Sequence, residues 1–309
     1  MIVTVTPNPS IDRTLRIPPL IRGRVIRAVS ATAEAGGKGV NVARALALHG
    51  QATVAVAPLS AASAATFSAL LGTAAPLDAV PVAGPARVNV SLVEDDGTVT
   101  KVNEPGPELS AAEVDAILAR VSALASGASW VAGCGALPPG APPDLYARLA
   151  SRLPAGVRVA IDADGVALRE AAQAGVELLK PNLAELEGLV GGALPTLGAV
   201  IEVATALVGG GIGGVLVSLG ADGAAYVDSE AATHAEARID DLVNTVGAGD
   251  ALLAGFLAAG GGHEALRTAV AWSVAACRSP GTQMRMVTAR DAEAVRVHEV
   301  LRPDRRLAA

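Results

Sequence analysis

Two hydrophobic patterns alternate along this chain. Short apolar runs, such as residues 2–6, 130–133 and 215–219, are separated by longer Ala- and Leu-rich segments in which apolar residues recur every three or four positions. The short runs predict buried strands, and the longer period predicts amphipathic helices. Because strands that alternate with helices indicate βαβ units, we predict an α/β fold with a mostly parallel central sheet.

Local signals refine this prediction. Residues 39–49 predict a helix, and residues 53–57, 158–162 and 177–180 predict further strands. Ser110 precedes Glu113 by three positions, which is the spacing of a capping box at a helix start.

Residues 209–214 match the spacing Gly-x-Gly-x-x-Gly. A dinucleotide-binding loop of this spacing follows a strand and opens a helix. Here the predicted helix comes first and the predicted strand follows. We therefore interpret residues 209–214 as a helix end and connector.

Two segments depart from the strand–helix alternation. Residues from about 11 to 30, and residues 87–102, carry strand patterns with no helix between them. Within the second segment, two alternating runs flank Asp95-Asp96-Gly97, which predicts a hairpin. We expect one domain over residues 1–309, with these strands forming a small lid sheet. The alternative is an ordinary edge hairpin of the main sheet.

Composition excludes several function classes. Hydrophobic residues make up 51% of the chain and aromatic residues 2%, so the core must consist mainly of Ala, Val and Leu. A net charge of −6 argues against nucleic-acid and anionic-membrane partners. Glycines interrupt the charge-free segment 203–221, so we expect no membrane span. We expect the basic segment 302–306 to be a solvated tail.

The two cysteines, Cys134 and Cys277, lie far apart in the sequence, and the four histidines show no metal-ligand spacing. Residues 1–6 show neither the basic nor the apolar region of a signal peptide. These observations favour a reducing compartment, and we expect a cytoplasmic protein.

The most informative motif is Asn-Thr-Val-Gly-Ala-Gly-Asp at residues 244–250, followed by an apolar helical run. A Gly-rich turn at a helix start leaves backbone N–H groups free, and the helix dipole adds partial positive charge. Such a pocket binds anions, phosphate among them. A carboxylate in that pocket, Asp250, suits a base that receives the proton of a hydroxyl attacking the anion.

Other motifs are weaker when taken singly. In Gly-Gly-Lys-Gly-Val-Asn at residues 36–41, Asn41 is placed to bind a sugar hydroxyl and Lys38 a phosphate; the alternative is a tight turn with a solvated lysine. Asn182 and Glu185 lie three residues apart and suit either Mg²⁺-phosphate positioning or a plain helix cap. The turn at residues 218–223 suits a nucleotide base or an ordinary hairpin. Asp12 follows the first strand, where ligands of α/β sheets bind.

Taken in order, these motifs resemble those of the ribokinase-like (PfkB) carbohydrate kinases. The chain is most similar to the branch that contains 1-phosphofructokinases and tagatose-6-phosphate kinases. The resemblance rests on residues 4–13, 35–43, 103–107, 137–140, 180–185, 217–223, 244–250 and 279–282.

The resemblance implies a three-layer α/β/α domain with a small β-sheet lid, Mg²⁺ as cofactor and ATP as co-substrate. It implies a sugar-phosphate acceptor, with no nucleic-acid or membrane partner, and a possible homodimer through the lid sheet. Asp250 would be the catalytic base, and Gly247, Ala248 and Gly249 would stabilise the transferred phosphate. The substrate-binding residues would be Asp12, Gly37, Lys38, Asn41, Arg87 and Arg27.

The nucleotide side would comprise Asn182, Glu185, Ser218, Gly220, Gly223, Ser279 and Gly281, and Mg²⁺ would be held indirectly, near Asn182 and Glu185. Three segments differ from the branch pattern. Residues 134–136 read Cys-Gly-Ala in place of Ser-Gly-Ser, residues 60–65 are Ala-rich where the branch has glycines, and residues 283–286 replace a small loop.

We therefore expect ATP-dependent phosphorylation of a ketohexose phosphate. Two alternatives stay open at this point: a kinase of an unphosphorylated sugar or nucleoside, and a sugar-phosphate or nucleotide sensor without catalysis.

Overall fold

Residues 1–281, 284–298 and 301–308 are described by the structure, which is a computed structural model. A central sheet contains ten of the strands in these residues, and a small sheet contains four. The strands are β1 Ile2–Val5, β2 Ser10–Ile17, β3 Ser30–Gly36, β4 Thr53–Leu59, β5 Leu77–Pro81, β6 Arg87–Glu94, β7 Val99–Asn103, β8 Trp130–Cys134, β9 Arg158–Asp162, β10 Leu178–Leu179, β11 Gly214–Ser218, β12 Ala224–Asp228, β13 Ala232–Ala237 and β14 Val295–His298.

Helices connect most of the central strands. They are α1 Lys38–Leu48, α2 Ala61–Leu71, α3 Ala111–Leu124, α4 Leu145–Ser151, α5 Gly165–Gln173, α6 Leu183–Val190, α7 Leu197–Gly209, α8 Ala248–Ala258, α9 Ala265–Cys277 and α10 Ala289–Glu293, with a short 3₁₀ turn at Gly220–Asp222. In the described residues no helix has the length and apolar character required to cross a membrane.

The central sheet has the order β14-β13-β12-β11-β10-β9-β8-β1-β4-β5. Its strands from β11 to β5 pair in parallel, whereas β12, β13 and β14 are added as antiparallel strands. The predicted α/β class with a mostly parallel sheet is therefore confirmed.

Strand alternation explains the three layers. In β1, Val3 and Val5 join a core cluster with α3, α4, α5 and α7, while Ile2 faces the opposite cluster, which contains residues of α1, α8 and α9. Successive strand residues point to opposite faces, so one buried strand supplies both cores. Gly255 lets α8 and α9 approach closely, since a Cβ at that position would lie 3.0 Å from Ala269 Cα.

The small sheet has the order β3-β2-β6-β7. The predicted hairpin is confirmed as β6 and β7, which pair antiparallel from Asn89 with Asn103 to Val93 with Val99. The strand that pairs antiparallel with β2 is β3, which lies mostly beyond the segment 11–30 that the pattern indicates. The role of this sheet as a lid stays a prediction.

Several local predictions are confirmed. Ser110 and Glu113 form the full capping box of α3. Helix α7 ends at Gly209 and β11 begins at Gly214, so residues 209–214 are a connector.

Residues 302–304 and 306 are exposed, as the prediction of a solvated segment implies, but the segment is not a free tail. The carbonyl groups of Pro303 and Arg305 accept hydrogen bonds from backbone N–H groups at the start of α7, which hold this segment against the domain.

Candidate active site

The candidate site lies where the loops after β1, β8 and β9 meet the first turns of α1 and α8. Ligands of open α/β sheets bind at the carboxyl ends of the strands. Here that edge collects side chains from distant parts of the sequence, among them Lys38, Asn41, Asp162 and Asp250.

Helix α8 begins directly after Gly247, whose φ of 80° is in the left-handed region that favours glycine. The first N–H groups of a helix have no partner within it, so this turn presents donors and the positive end of a dipole. The N–H of Ala248 also makes a long hydrogen bond of 3.3 Å to Thr245 O. Asp250 lies in the first turn and is buried. Gly247, Ala248, Gly249 and Asp250 thus form the compact turn that the sequence predicts.

Asp250 accepts a hydrogen bond of 2.8 Å from Asn41 Nδ2. Burial raises the pKa of Asp250 to about 6, and the negative charge of Asp162 adds to the effect. A carboxyl group with such a pKa is ionised at neutral pH and is a stronger base than an ordinary aspartate. Asn41 therefore orients the carboxylate, while its Oδ1 atom is buried with no hydrogen-bond partner among the described residues.

A second carboxylate, Asp162, ends β9 and is completely buried. Its Oδ1 atom accepts from Lys38 Nζ at 2.7 Å, and its Oδ2 atom lies 3.1 Å from Lys180 Nζ. Burial by itself lowers the pKa of Lys38, but the carboxylates of Asp162 and Glu185 raise it above its ordinary value. Lys180 is buried, and its Nζ atom would lie 3.6 Å from a Cβ atom on Gly249. Two cations thus stand beside the turn at residues 247–250.

Asn182 and Glu185 form a complete capping box at the start of α6. Glu185 Oε1 also lies 3.6 Å from Lys38 Nζ, so the cap is joined to the Lys38–Asp162 pair. Asn182 forms an isolated parallel bridge with Ser218, which connects the cap to the end of β11. The cap interpretation of the sequence is confirmed, and a role towards Mg²⁺ and phosphate stays a proposal.

The predicted nucleotide turn joins β11 to β12. Gly220 and Gly223 have φ angles of 60° and 84°, which side chains other than glycine rarely adopt. A Cβ atom on Gly223 would come within 2.1 Å of the carbonyl oxygen of Ala235, so the neighbouring strand also requires glycine there.

Asp12 lies in the small sheet, not at the edge of the central sheet. The chain leaves β1 at Val5 and enters β2 at Ser10, so the sequence prediction of a strand-end position is wrong. Asp12 Oδ1 accepts hydrogen bonds from Ser10 Oγ at 2.7 Å and from Asn89 Nδ2 at 3.0 Å. A Cβ atom at Gly36 would clash with the Asp12 carboxylate, so β3 requires glycine where it passes this side chain.

Gly37 has a φ of 130°, and a Cβ on it would lie 2.5 Å from Thr6 Cγ2. Arg87 is half-buried and donates to the carbonyl oxygen of Glu104 at 3.2 Å. The pKa of Arg87 lies below its ordinary value, because the effect of burial outweighs the opposite effect of the charges of Asp12 and Asp164.

Three predicted residues are not brought into this constellation. Arg27 is exposed in the segment between β2 and β3. Ser279 is buried, donates to Ala275 O and accepts from Arg285 N, so its hydroxyl serves the loop itself. Gly281 accepts a hydrogen bond from Asn244 Nδ2 through its carbonyl group. The resemblance also includes Thr282, and the differing segment 283–286 begins at Gln283; these two residues lie outside the described residues.

Sequence reasoning did not assign roles to Asp162, Lys180, Asn89 or Arg44. Asp162 ends a predicted strand, and that position was the available signal. Arg44 lies on α1, three residues after Asn41, and its guanidinium nitrogens are buried without a hydrogen-bond partner in the described part of the chain. The pKa of Arg44 lies below its ordinary value, because the effect of burial outweighs the opposite effect of the charges of Glu34 and Asp12. No sequence signal distinguished it from a surface arginine on a helix.

The replacement of Ser by Cys at position 134 does not alter the site surface. Cys134 is fully buried in the core, and burial raises the pKa of its thiol well above the ordinary value. Its backbone neighbour Gly135 donates to Asp162 O at 2.7 Å and accepts from Tyr146 Oη at 2.7 Å.

A direct metal centre is not formed by the described residues, where no group of three or more His, Cys, Asp or Glu side chains is placed to hold an ion. Asn182 and Glu185 nevertheless offer oxygen atoms beside the Lys38–Asp162 pair. Mg²⁺ keeps several waters and binds through one or two carboxylates together with substrate phosphates. The oxygen donors present fit such an indirectly held ion.

Comparison with known proteins agrees with this geometry. The pfkB family carbohydrate kinases match residues 6–289. The chain is 39% identical over 260 residues to the 1-phosphofructokinase of Rhodobacter capsulatus, covering 83% of this chain and 82% of that protein. It is 37% identical over 264 residues to the 1-phosphofructokinase of Xanthomonas campestris pv. campestris, covering 83% of each.

Among solved structures, phosphofructokinase-2 from Escherichia coli in complex with potassium superposes with a TM-score of 0.86 at 30% identity. The match covers 94% of this chain and 96% of that chain.

Proposed function

The chain belongs to the pfkB family of carbohydrate kinases, and from that premise we propose that it transfers a phosphoryl group from ATP to a ketohexose phosphate. Fructose 1-phosphate is the acceptor we propose first, because it is the substrate class that the names of the similar proteins indicate. The products are a ketohexose bisphosphate and ADP.

One observation carries the proposal: a buried carboxylate, Asp250, stands in the first turn of a helix that is built to bind an anion. A base in an anion pocket is disfavoured unless it serves a hydroxyl group that attacks the anion. Asn41 orients this carboxylate, and burial gives it a pKa of about 6. Phosphoryl transfer depends mainly on positioning and charge stabilisation, and both are present here.

In the proposed mechanism, Asp250 receives the proton of the acceptor hydroxyl while that oxygen attacks the γ-phosphate. The N–H groups of Gly247, Ala248 and Gly249 stabilise charge on the transferred group. Lys180 adds a fixed positive charge close to Gly249, and Asp162 holds this lysine in place.

We assign the sugar to Asp12, Gly37 and Asn41, and the acceptor's phosphate to Lys38, Arg87 and Arg27. Arg27 is exposed outside the constellation, so it would contact this phosphate only in the substrate-bound state. Asp12 is supported by its contacts to Ser10 and Asn89, which fix the carboxylate beside Gly36. Lys38 is supported less directly, because its ammonium group is paired with Asp162.

We assign the nucleotide to Ser218, Gly220 and Gly223, together with Ser279 and Gly281, which lie directly after α9. Asn182 and Glu185 would hold Mg²⁺ on the phosphates through water. Mg²⁺, when bound, neutralises phosphate charge. Lys38 pairs with both Asp162 and Glu185, and so connects the proposed acceptor side to the proposed Mg²⁺ side.

We further propose a homodimer formed through the small sheet. Apolar residues on and near it are exposed, including Val25, Val99 and Val102. Light scattering of the purified protein would give the mass, and Val102→Asp would be expected to shift a dimer towards monomer. A cytoplasmic location stays a prediction that rests on the cysteine content.

The test is ADP release with Mg-ATP across six acceptors: fructose 1-phosphate, fructose 6-phosphate, tagatose 6-phosphate, fructose, ribose and adenosine. We expect turnover on a ketohexose phosphate, with kcat/KM highest for fructose 1-phosphate. Arg87→Ala should raise KM for the phosphorylated acceptor and leave KM for ATP unchanged, because a rim cation mainly binds the acceptor's phosphate.

Turnover confined to fructose, ribose or adenosine would favour a kinase of neutral acceptors. ADP binding without turnover on any acceptor would contradict the proposed reaction and favour a sensor.

A further inference from the structure

The segment of residues 301–308, here named the strap, packs along the start of α7 and reaches the predicted nucleotide turn. Two backbone N–H groups at the start of α7 donate to it: Leu197 N to Arg305 O at 2.9 Å and Gly198 N to Pro303 O at 2.8 Å. Leu307 N donates in return to Pro195 O at 3.0 Å. The first N–H groups of a helix need acceptors from outside it, and the strap supplies them.

The strap lies so close to α7 that it restricts which residue can occupy position 198. A Cβ atom at Gly198 would lie 2.9 Å from Pro303 O, so a larger residue there would displace the strap. Leu307 packs against the main core cluster, which adds an apolar anchor beside the hydrogen bonds. The strap is therefore a fixed part of the domain along residues 301–308.

From this position the strap holds Asp222, the last residue of the Gly220–Asp222 turn. Arg305 Nη2 donates to Asp222 Oδ1 at 2.8 Å, and the backbone N–H of Ala308 donates to Asp222 Oδ2 at 2.6 Å. On its main chain, Asp222 O lies 2.7 Å from His234 Nε2. Both carboxylate oxygens and the carbonyl of Asp222 are thus engaged.

Arg305 joins two acidic groups. Its Nη1 atom pairs with Glu236 on β13, while Nη2 serves Asp222. Glu236 also pairs with His298 on β14 at 2.9 Å. Burial lowers the pKa of Arg305, but the two carboxylates raise it above the ordinary value. A planar guanidinium with several donors can bridge two carboxylates at fixed positions, which an ammonium group cannot do equally well.

We propose that Arg305 is a positioning residue for the nucleotide: through Asp222 it fixes the turn that carries Gly220 and Gly223, and thereby sets the affinity for the purine nucleotide. This inference rests on the proposed function, in which that turn binds ATP and ADP. A held turn binds its ligand without first losing backbone freedom, so releasing the turn weakens binding of the nucleotide alone.

The experiment compares Arg305→Ala with Arg306→Ala. Both variants remove one arginine from the strap, but Arg306 is exposed and its side chain makes no hydrogen bond or ion pair in the described residues. Calorimetry with ADP, in the absence of sugar, gives the dissociation constant, and steady-state kinetics gives both KM values and kcat. Thermal unfolding of each variant checks that the domain is folded.

We expect Arg305→Ala to weaken ADP binding about tenfold, or about 1.4 kcal/mol. KM for ATP should rise in proportion, with KM for the sugar phosphate and kcat unchanged. Arg306→Ala should match the wild type. Asp222→Asn, which keeps the shape of the side chain but removes its charge, should act in the same direction as Arg305→Ala and carries the test if Arg305→Ala does not fold.

Equal ADP affinity in Arg305→Ala, Arg306→Ala and wild type would overturn the inference. A uniform rise of both KM values with a fall in kcat would also overturn it, since that pattern indicates general loosening. A wild-type protein that binds ADP but phosphorylates no acceptor would contradict the proposed reaction and leave the comparison of ADP affinities decisive for Arg305. A wild type that binds no ADP would overturn both proposals.

Discussion

Two buried aspartates in this molecule have the same charge and the same two-cation surroundings, yet the structure uses them differently. Asp291 lies in α10 and Asp162 ends β9, and both are 0% exposed. Asp291 faces Arg278 and Arg285, whereas Asp162 faces Lys38 and Lys180. The difference lies in how completely each carboxylate is hydrogen-bonded.

Asp291 accepts from Arg278 Nη1, from both terminal nitrogens of Arg285, and from the N–H and hydroxyl of Thr288, at distances of 2.7–2.9 Å. Burial acts to raise the pKa of Asp291, but these donors hold it well below its ordinary value. Both oxygens of this carboxylate are fully hydrogen-bonded, so Asp291 holds Arg278, Arg285 and Thr288 at the start of α10 and has no capacity for a ligand.

The hydrogen bonding of the Asp162 carboxylate is less complete. Its Oδ1 accepts from Lys38, while its Oδ2 has no hydrogen bond with correct geometry among the described residues. Lysine is a point charge on a flexible stem, whereas arginine is a fixed fork. Asp162 therefore holds two ammonium groups near Asp250 through an incomplete set of hydrogen bonds, and its charge adds to the effect of burial in raising the pKa of Asp250. We interpret the complete pairing of Asp291 as structural, and the incomplete pairing of Asp162 as a feature of the proposed active site.

The largest expected effect is that of Asp250→Asn. Loss of a general base costs on the order of 10²–10⁴-fold in turnover. The free energy of unfolding should not fall, because burial penalises the charged form of Asp250 and the amide still accepts from Asn41. ADP release and a urea unfolding curve measure both quantities. Near-normal turnover would remove Asp250 from the mechanism.

The next effect is expected at the other aspartate. Asp291→Asn should lower the free energy of unfolding by about 3 kcal/mol, because removing one partner of a buried ion pair leaves the other uncompensated. Turnover of the folded protein should stay close to that of the wild type. Chemical denaturation and kcat on the same sample provide the test, and a large loss of kcat without loss of stability would reverse the assignment of scaffold and site.

The smallest expected effect is a shift in the pH dependence of kcat/KM, which distinguishes Asp162 from Asp291. With a pKa of about 6, Asp250 is protonated below that pH, so kcat/KM should fall on the acid side. Asp162→Asn removes a negative neighbour, so the pKa of Asp250 should decrease and the acid limb should move to lower pH.

Asp291→Asn serves as the matched control and should leave the limb in place. The sugar phosphate also titrates near pH 6, but it does so equally with every variant. If the acid limb of the kcat/KM profile did not move in Asp162→Asn, the proposed effect of Asp162 on the pKa of Asp250 would be contradicted.

The sequence was informative wherever function depends on local spacing. The alternation of strands and helices predicted the sheet, and Ser110 with Glu113 predicted a cap that the structure contains. The turn at residues 244–250 predicted a carboxylate at a helix start. In each case the chemistry is complete within a few neighbouring residues.

Contacts between distant segments were not predictable. Lys38 and Asp162 lie 124 residues apart, and no periodicity connects them. Arg305 was expected in a solvated tail because its local composition is polar, while its partners Asp222 and Glu236 lie on other elements. The prediction for Asp12 relies on its closeness to β1 in the sequence, although the strand pattern from about residue 11 already indicates the small sheet that contains Asp12.

The hydrogen bond between Asn41 and Asp250 joins residues 209 positions apart. Closing such a long loop lowers the entropy of the chain before the contact contributes any stability. Chains rich in non-local contacts therefore fold slowly. Asp250 therefore gains its hydrogen bond from Asn41 only when α1 and α8 have packed together. During refolding, helical signal will return before catalytic competence, so enzyme activity reports the completion of folding.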